Sequence, residues 1–155
     1  MHVELLLTDQ AAMPASSAPW SEYELPYRLV ADKPETAYAW FRFDLPRMQG
    51  NVPLSLYLSN YMYSVEVYLN GVRIGGPSEP PGTLALGWTR PLLLSLPAGL
   101  LQAGNNLVHL RLTQAAFTNV LPELVIGPET ELLPVWQRKL FTQSQVALVS
   151  LVLCV

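Results

Sequence analysis

The stretch that most limits what this chain can become is residues 52–76, VPLSLYLSNYMYSVEVYLNGVRIGG. Leu54, Leu56 and Leu58 alternate with Ser55, Tyr57 and Ser59. Beyond a polar break at Asn60, Val65, Val67 and Leu69 alternate with Ser64, Glu66 and Tyr68. Period-two alternation belongs to strands, because successive side chains of an extended chain leave on opposite faces. It predicts one buried face and one wet face. Asn70-Gly71 follows, two residues that accept positive φ and so suit the type I′ turn of a two-residue hairpin. Val72-Arg73-Ile74 then runs back beside the strand just completed, and Gly75-Gly76 ends it. The pattern is that of an antiparallel β protein.

The flanking sequence extends it. Residues 2–8, HVELLLT, read as a first strand, 9–19 as a loop rich in Ala, Ser and Pro, and 20–29 as an extended edge segment, since Pro26 interrupts it. A turn is expected at 32–35. In 38–45, Phe41, Phe43 and Leu45 point inward and Trp40, Arg42 and Asp44 outward. Residues 46–53 link to the hairpin. Residues 77–87, with Pro80-Pro81-Gly82, form a second long loop, closed by Trp88-Thr89-Arg90-Pro91. There follow a strand LLLSLP, a helical turn and a tight turn over 98–106, and a strand over 107–113. In that strand Val108, Leu110 and Leu112 point inward, and His109 and Arg111 outward. A last strand is expected at 122–128. About eight strands separated by turn signals predict an all-β fold, an antiparallel β-sandwich of the jelly-roll kind.

Composition excludes several function classes. The 155 residues suffice for one domain with a two-layer core. A net charge of −3 supplies no basic field, so nucleic acid is not an expected partner. Cys154 is the single cysteine, which leaves no internal disulfide and no Cys/His zinc spacing. No metal and no cofactor are expected. Met1-His2-Val3 has neither the basic start nor the cleavage site of a signal peptide, as expected if Met1 stands after a signal already removed. From Glu129 the alternation stops and the chain becomes continuously apolar at Val146. Ten residues do not span a bilayer, which takes about 20. Residues 146–155 read as the first half of a spanning helix; the alternative is a buried C-terminal helix or strand. The expected organisation is a β-jelly-roll domain over 1–130 and, over 131–155, a linker and the start of a transmembrane helix.

Two stretches carry a family likeness. VEVYLNGVRIG, preceded by WFRFDL and followed by LPAGLLQAGNNLVHLRL, resembles the galactose-binding-like jelly rolls. The sugar-binding domain of family 2 glycoside hydrolases has the same order of an aromatic-Phe-Arg strand, an N-G hairpin and a G-x-N-x-L strand. The run from hairpin through W-x-R-P, LP-x-x-L-L-x-x-G-x-N and IGP to an apolar helix is similar to the extracytoplasmic sensor modules of bacterial sensor histidine kinases and diguanylate cyclases. The resemblance implies a periplasmic ligand-sensing domain at the inner membrane, binding a carbohydrate or other small polar ligand, with membrane attachment through the C-terminal segment and a homodimer as a possible state. The alternative is a structural, interaction or accessory carbohydrate-binding module of a larger enzyme.

No catalytic constellation is legible. The chain has no Gly-rich phosphate loop, no G-x-S-x-G and no H-E-x-x-H, and its carboxylates are scattered. The segment is expected to be non-catalytic. His2 and His109 read as surface residues. Sugars are held by aromatic faces and planar polar groups, so outward aromatic and polar positions are the informative ones. Trp40 with Arg42, His109 with Arg111, and Glu66 with Tyr68 share outward faces; Trp40 and Tyr68 are expected to cover the sheet beneath loops. Loop positions host binding more often. The expected ligand set is therefore Trp88, Arg90, Tyr61, Tyr63 and Asn60, meeting at one end of the sandwich.

Overall fold

The computed structural model describes residues 1–31, 35–45, 52–60, 64–76, 91–115 and 117–153. Its strands are β1 (His2–Thr8), β2 (Ser21–Glu24), β3 (Tyr27–Ala31), β4 (Tyr38–Asp44), β5 (Leu54–Leu58), β6 (Val65–Leu69), β7 (Val72–Gly75), β8 (Leu92–Leu96), β9 (Leu107–Thr113), β10 (Phe117–Leu121) and β11 (Leu124–Pro128). One helix, α1 (Glu129–Leu153), follows. A six-stranded sheet of order β2-β1-β4-β9-β6-β7 faces a three-stranded sheet β11-β5-β8 and a pair β10-β3. Every pairing is antiparallel.

The core lies between the layers and is built from the alternation. Val3, Leu5, Phe41, Phe43, Val67, Leu69, Val108, Leu110 and Leu112 of the six-stranded sheet meet Leu54, Leu56, Leu58, Leu96, Leu121 and Leu124 opposite. Each such side chain contributes about 1.5–3 kcal/mol when fully buried. The hairpin stands as expected, with Asn70 at φ 49° and Gly71 at φ 85°. Gly76 closes β7 at φ 96°, where an added Cβ would lie 2.0 Å from the Val65 carbonyl oxygen. Only glycine fits there.

The two Asn-rich turns are joined. The Asn70 amide donates to the Leu100 carbonyl and to Asn106 Oδ1, each at 2.8 Å, and Asn70 Oδ1 accepts from the Leu107 amide at 2.9 Å. Asn106 in turn accepts from the Gln102 amide at 2.7 Å and donates to the Gln102 and Gly104 carbonyls. The N-G and G-x-N signals thus have a structural purpose: they tie the hairpin tip to the entry of β9.

Four expectations need revision. The segment 20–29 is two strands, with a cis Leu25–Pro26 bond between them; β2 edges the six-stranded sheet while β3 pairs with β10. Residues 117–121 form a strand that their mixed polarity concealed, and the described strands number eleven rather than about eight. The outward faces are not wet: Ser55, Tyr57 and Glu66 are buried. His109, read as a surface residue, is only 6% exposed. The reason for both is that the three-stranded and six-stranded sheets are each covered over part of their second side.

On the three-stranded sheet the cover is α1. Glu129, Leu132, Leu133, Trp136 and Leu140 form its less exposed stripe, the 3.6-residue repeat of a docked helix face. Leu132 is buried, Ser55 Oγ donates to Glu129 Oε2 at 3.1 Å, and Trp136 Nε1 donates to the Pro91 carbonyl at 3.0 Å. Pro134 sits inside the helix. Among the described residues no helix is long and apolar enough to cross a membrane.

Candidate ligand-binding face

The strand registers assign the outer face of the six-stranded sheet residue by residue, since directly opposed residues of antiparallel strands share a face. One row runs Glu22, Glu4, Arg42, His109, Tyr68 and Arg73 from β2 to β7. The next row is Leu6, Trp40, Arg111 and Glu66. Charged and aromatic residues alternate with the core positions of the same strands, so the alternation that builds the core also builds this face.

Two carboxylates are held by arginines. Arg42 donates from Nε to Glu4 Oε2 at 2.6 Å and from Nη2 to Glu4 Oε1 at 3.0 Å, a two-point fork. That contact holds the Glu4 carboxyl below its ordinary range. Deeper in the sheet, Glu66 Oε2 lies 2.5 Å from Arg111 Nη2 and accepts from the Tyr68 hydroxyl at 2.7 Å, while Oε1 accepts from Arg73 Nε at 3.1 Å. Burial first, and then the bond to Glu66, push the Tyr68 phenol up.

The loop between β1 and β2 arches over this face and is fastened by its main chain. Trp40 Nε1 donates to the Gln10 carbonyl, Arg111 Nη1 to the Ala11 carbonyl and Arg42 Nη1 to the Ser16 carbonyl. Trp20, at the end of the loop, places its ring 4.4 Å from the Arg42 guanidinium carbon and 6.0 Å from the His109 ring. Trp40 is wholly buried and 5.4 Å from Tyr68, so the expectation that both cover the sheet beneath a loop is met for Trp40, while Tyr68 is half-buried. Burial, and then the charge of Arg42, hold the His109 imidazole below its ordinary range. His109 Nδ1 and Arg111 Nε have no hydrogen-bond partner among the described residues.

Beyond the loop the face opens into a cleft of about 420 Å³, bordered by His2, Glu4, Glu22, Arg42 and Asp44. Fixed acceptors, a guanidinium and a nearby indole are the groups that orient a hydroxylated ligand. No cluster of His, Cys, Asp or Glu suited to a metal ion occurs among the described residues.

Of the expected ligand set, Tyr61, Tyr63, Trp88 and Arg90 lie outside the described residues. Asn60 is exposed at the end of β5, its Oδ1 accepting from Ser59 Oγ at 3.0 Å. The outward pairs on β4, β6 and β9 do come together on one face. Sequence reasoning missed Glu4, Glu22, Arg73 and Trp20 as its further members. The one available signal was Glu4, a charge inside the apolar run of β1, but its partner follows only from knowing that β1 lies beside β4.

No family model matches the chain, and no curated protein is significantly similar to it. Solved structures are similar in fold. Over 80% of this chain, Bacteroides uniformis beta-glucuronidase 2, covalently bound to cyclophellitol-6-carboxylate aziridine, superposes with a TM-score of 0.62 at 16% identity. A beta-glycosidase from Bacteroides vulgatus superposes over 82% with a TM-score of 0.60 at 13% identity. A glycosyl hydrolase family 2 member from Bacteroides cellulosilyticus DSM 14838 gives 0.56 over 78% at 11% identity. The chain spans 16%, 19% and 20% of these three proteins respectively, so the likeness is to one part of each.

Proposed function

We propose that this chain is a non-catalytic recognition module of a larger protein, which holds a carbohydrate or other small polar ligand on the outer face of its six-stranded sheet. The observation that carries this reading is the row Glu22-Glu4-Arg42-His109-Tyr68-Arg73, which leads from beneath a loop into an open cleft beside Trp20. Its Glu4–Arg42 unit, with the Glu66–Arg111 unit of the neighbouring row, holds polar groups in fixed directions, and preorganisation of that kind reduces the cost of binding. The partial likeness to glycoside hydrolases supports the choice of a sugar.

The four indoles make the test direct. In an NMR titration of the labelled chain with simple glycosides, the Trp20 Nε1–H signal should move in a saturable way, with micromolar to millimolar affinity. If no glycoside moves Trp20 or Trp40, the outer face is not the site. A shift confined to Trp88 would place the ligand with Tyr61, Tyr63, Arg90 and Asn60 instead.

A second reading concerns output. α1 docks by its stripe as far as Leu140, and the sequence carries no charge after Lys139. The packing of α1 on the sandwich suits a sensor that passes occupancy to this helix, as against a passive accessory domain. Movement of the Trp136 signal at ligand saturation supports the sensor; a stationary Trp136 signal leaves recognition without output through this helix.

A further inference from the structure

We infer that the cleft beside β2, β1 and β4 selects polyhydroxy ligands that are neutral or carry an amine, and rejects carboxylated ones such as uronates. The inference rests on the recognition reading above and adds the charge class of its ligand.

Charge bookkeeping within the cleft carries the argument. Glu4 stands directly opposite Glu22 on one side and opposite Arg42 on the other. Arg42 commits its Nε–Nη2 edge to Glu4, one further N–H to the Ser16 carbonyl and its face to the Trp20 ring. The Nε–Nη2 edge is therefore occupied, and a ligand carboxylate is left only the Nη1–Nη2 end, from which the Ser16 carbonyl already draws one donor. Glu22 and Asp44 have no ionic partner among the described residues. The Met1 ammonium, also at the border, is turned to Glu123 at 3.9 Å.

An ionised carboxylate only accepts hydrogen bonds, so this border receives hydroxyl and ammonium donors and repels a further carboxylate. Two like charges opposed across neighbouring strands are unfavourable, and a ligand that donates to both relieves them. The volume lies within the range of about 300–1,000 Å³ usual for small-molecule sites.

Three probes with one ring isolate charge: methyl β-D-glucopyranoside, methyl 2-amino-2-deoxy-β-D-glucopyranoside and methyl β-D-glucopyranosiduronate. Titrated at low salt with the Trp20 indole as reporter, the neutral and amino probes should bind about fivefold or more tightly than the uronate, and salt should narrow the gap. The double variant Glu22→Gln, Asp44→Asn should bring the three to within about twofold. A uronate that binds best, or an order unchanged in the double variant, would overturn the charge selectivity while recognition stands. If none of the three probes shifts any indole signal, the sugar reading falls along with it.

Discussion

On the three-stranded sheet the outer face carries Ser55 and Tyr57 and lies beneath α1; on the six-stranded sheet it carries arginines, carboxylates and indoles and lies beneath a loop. A helix satisfies its own main chain, so it can cover a sheet with an apolar stripe and needs few polar anchors. A loop cannot. Its carbonyls require donors, and Trp40, Arg42 and Arg111 supply them from the sheet. The helix-covered face is thereby committed to packing. The loop-covered face keeps a dense polar layer, and where the loop ends that layer meets solvent at the cleft. The same sandwich has one side suited to attachment and one suited to recognition.

The largest expected effect tests the polar side. Glu66→Gln preserves shape but removes the charge that pairs with Arg111, itself 13% exposed and beneath the loop. Breaking a buried ion pair from one side costs about 3 kcal/mol, because the surviving charge is left unpaired. The midpoint of urea unfolding measures it. A loss under about 1 kcal/mol would mean that water reaches this layer and that the two faces differ less than their covers suggest.

The helix side should respond to truncation rather than to charge. Leu132 is 7% exposed and lies against Gly127 of β11. Leu132→Ala should cost about 2 kcal/mol, the lower end for a buried leucine, since a helix at the periphery can settle into part of the space. The Trp20 and Trp40 indole signals should stay in place. If they shift, the two outer faces communicate through the core; if stability is unchanged, α1 is not a packed part of the domain.

How far all this could be read in advance depended on the range of the cause. The hairpin, the inward residues of β4 and β9 and the Asn70-Gly71 turn were legible, because alternation and turn chemistry act over a few residues. The burial of Ser55 and His109 was not, because it comes from a helix and a loop distant in sequence. Strand β10 was hidden by Thr118 and Asn119. Asn119 is fully buried yet satisfied, its side-chain amide exchanging two hydrogen bonds with the backbone of Ala115, so a polar residue there marks a closed turn rather than a wet face. The pairing of Glu4 with Arg42 required the strand order, which no local pattern contains.

The smallest effect distinguishes the faces by pH. Arg42 and Tyr68 flank His109 in its row, Trp20 covers it from the loop, and Trp40 meets it edge-on at 6.5 Å. Burial and the Arg42 charge depress its pKa from the ordinary 6.5. Below 6.5 the unfolded chain therefore takes up a proton that the folded chain resists. Stability is full above that pH and declines as pH falls towards the folded value. Glu4 acts in a lower window: its carboxyl is depressed from 4.5, so its contribution is lost only as pH falls below that value. Replacing His109 with Gln should flatten the stability profile between about pH 7 and pH 5 and leave the acid limb near Glu4 in place. The chain with Leu132→Ala, altered on the other face, should instead keep the parent slope while losing stability at every pH. If His109→Gln shows the parent slope in the upper window, the imidazole is as solvated beneath the loop as in the unfolded chain, and the recognition face is more open than its geometry indicates.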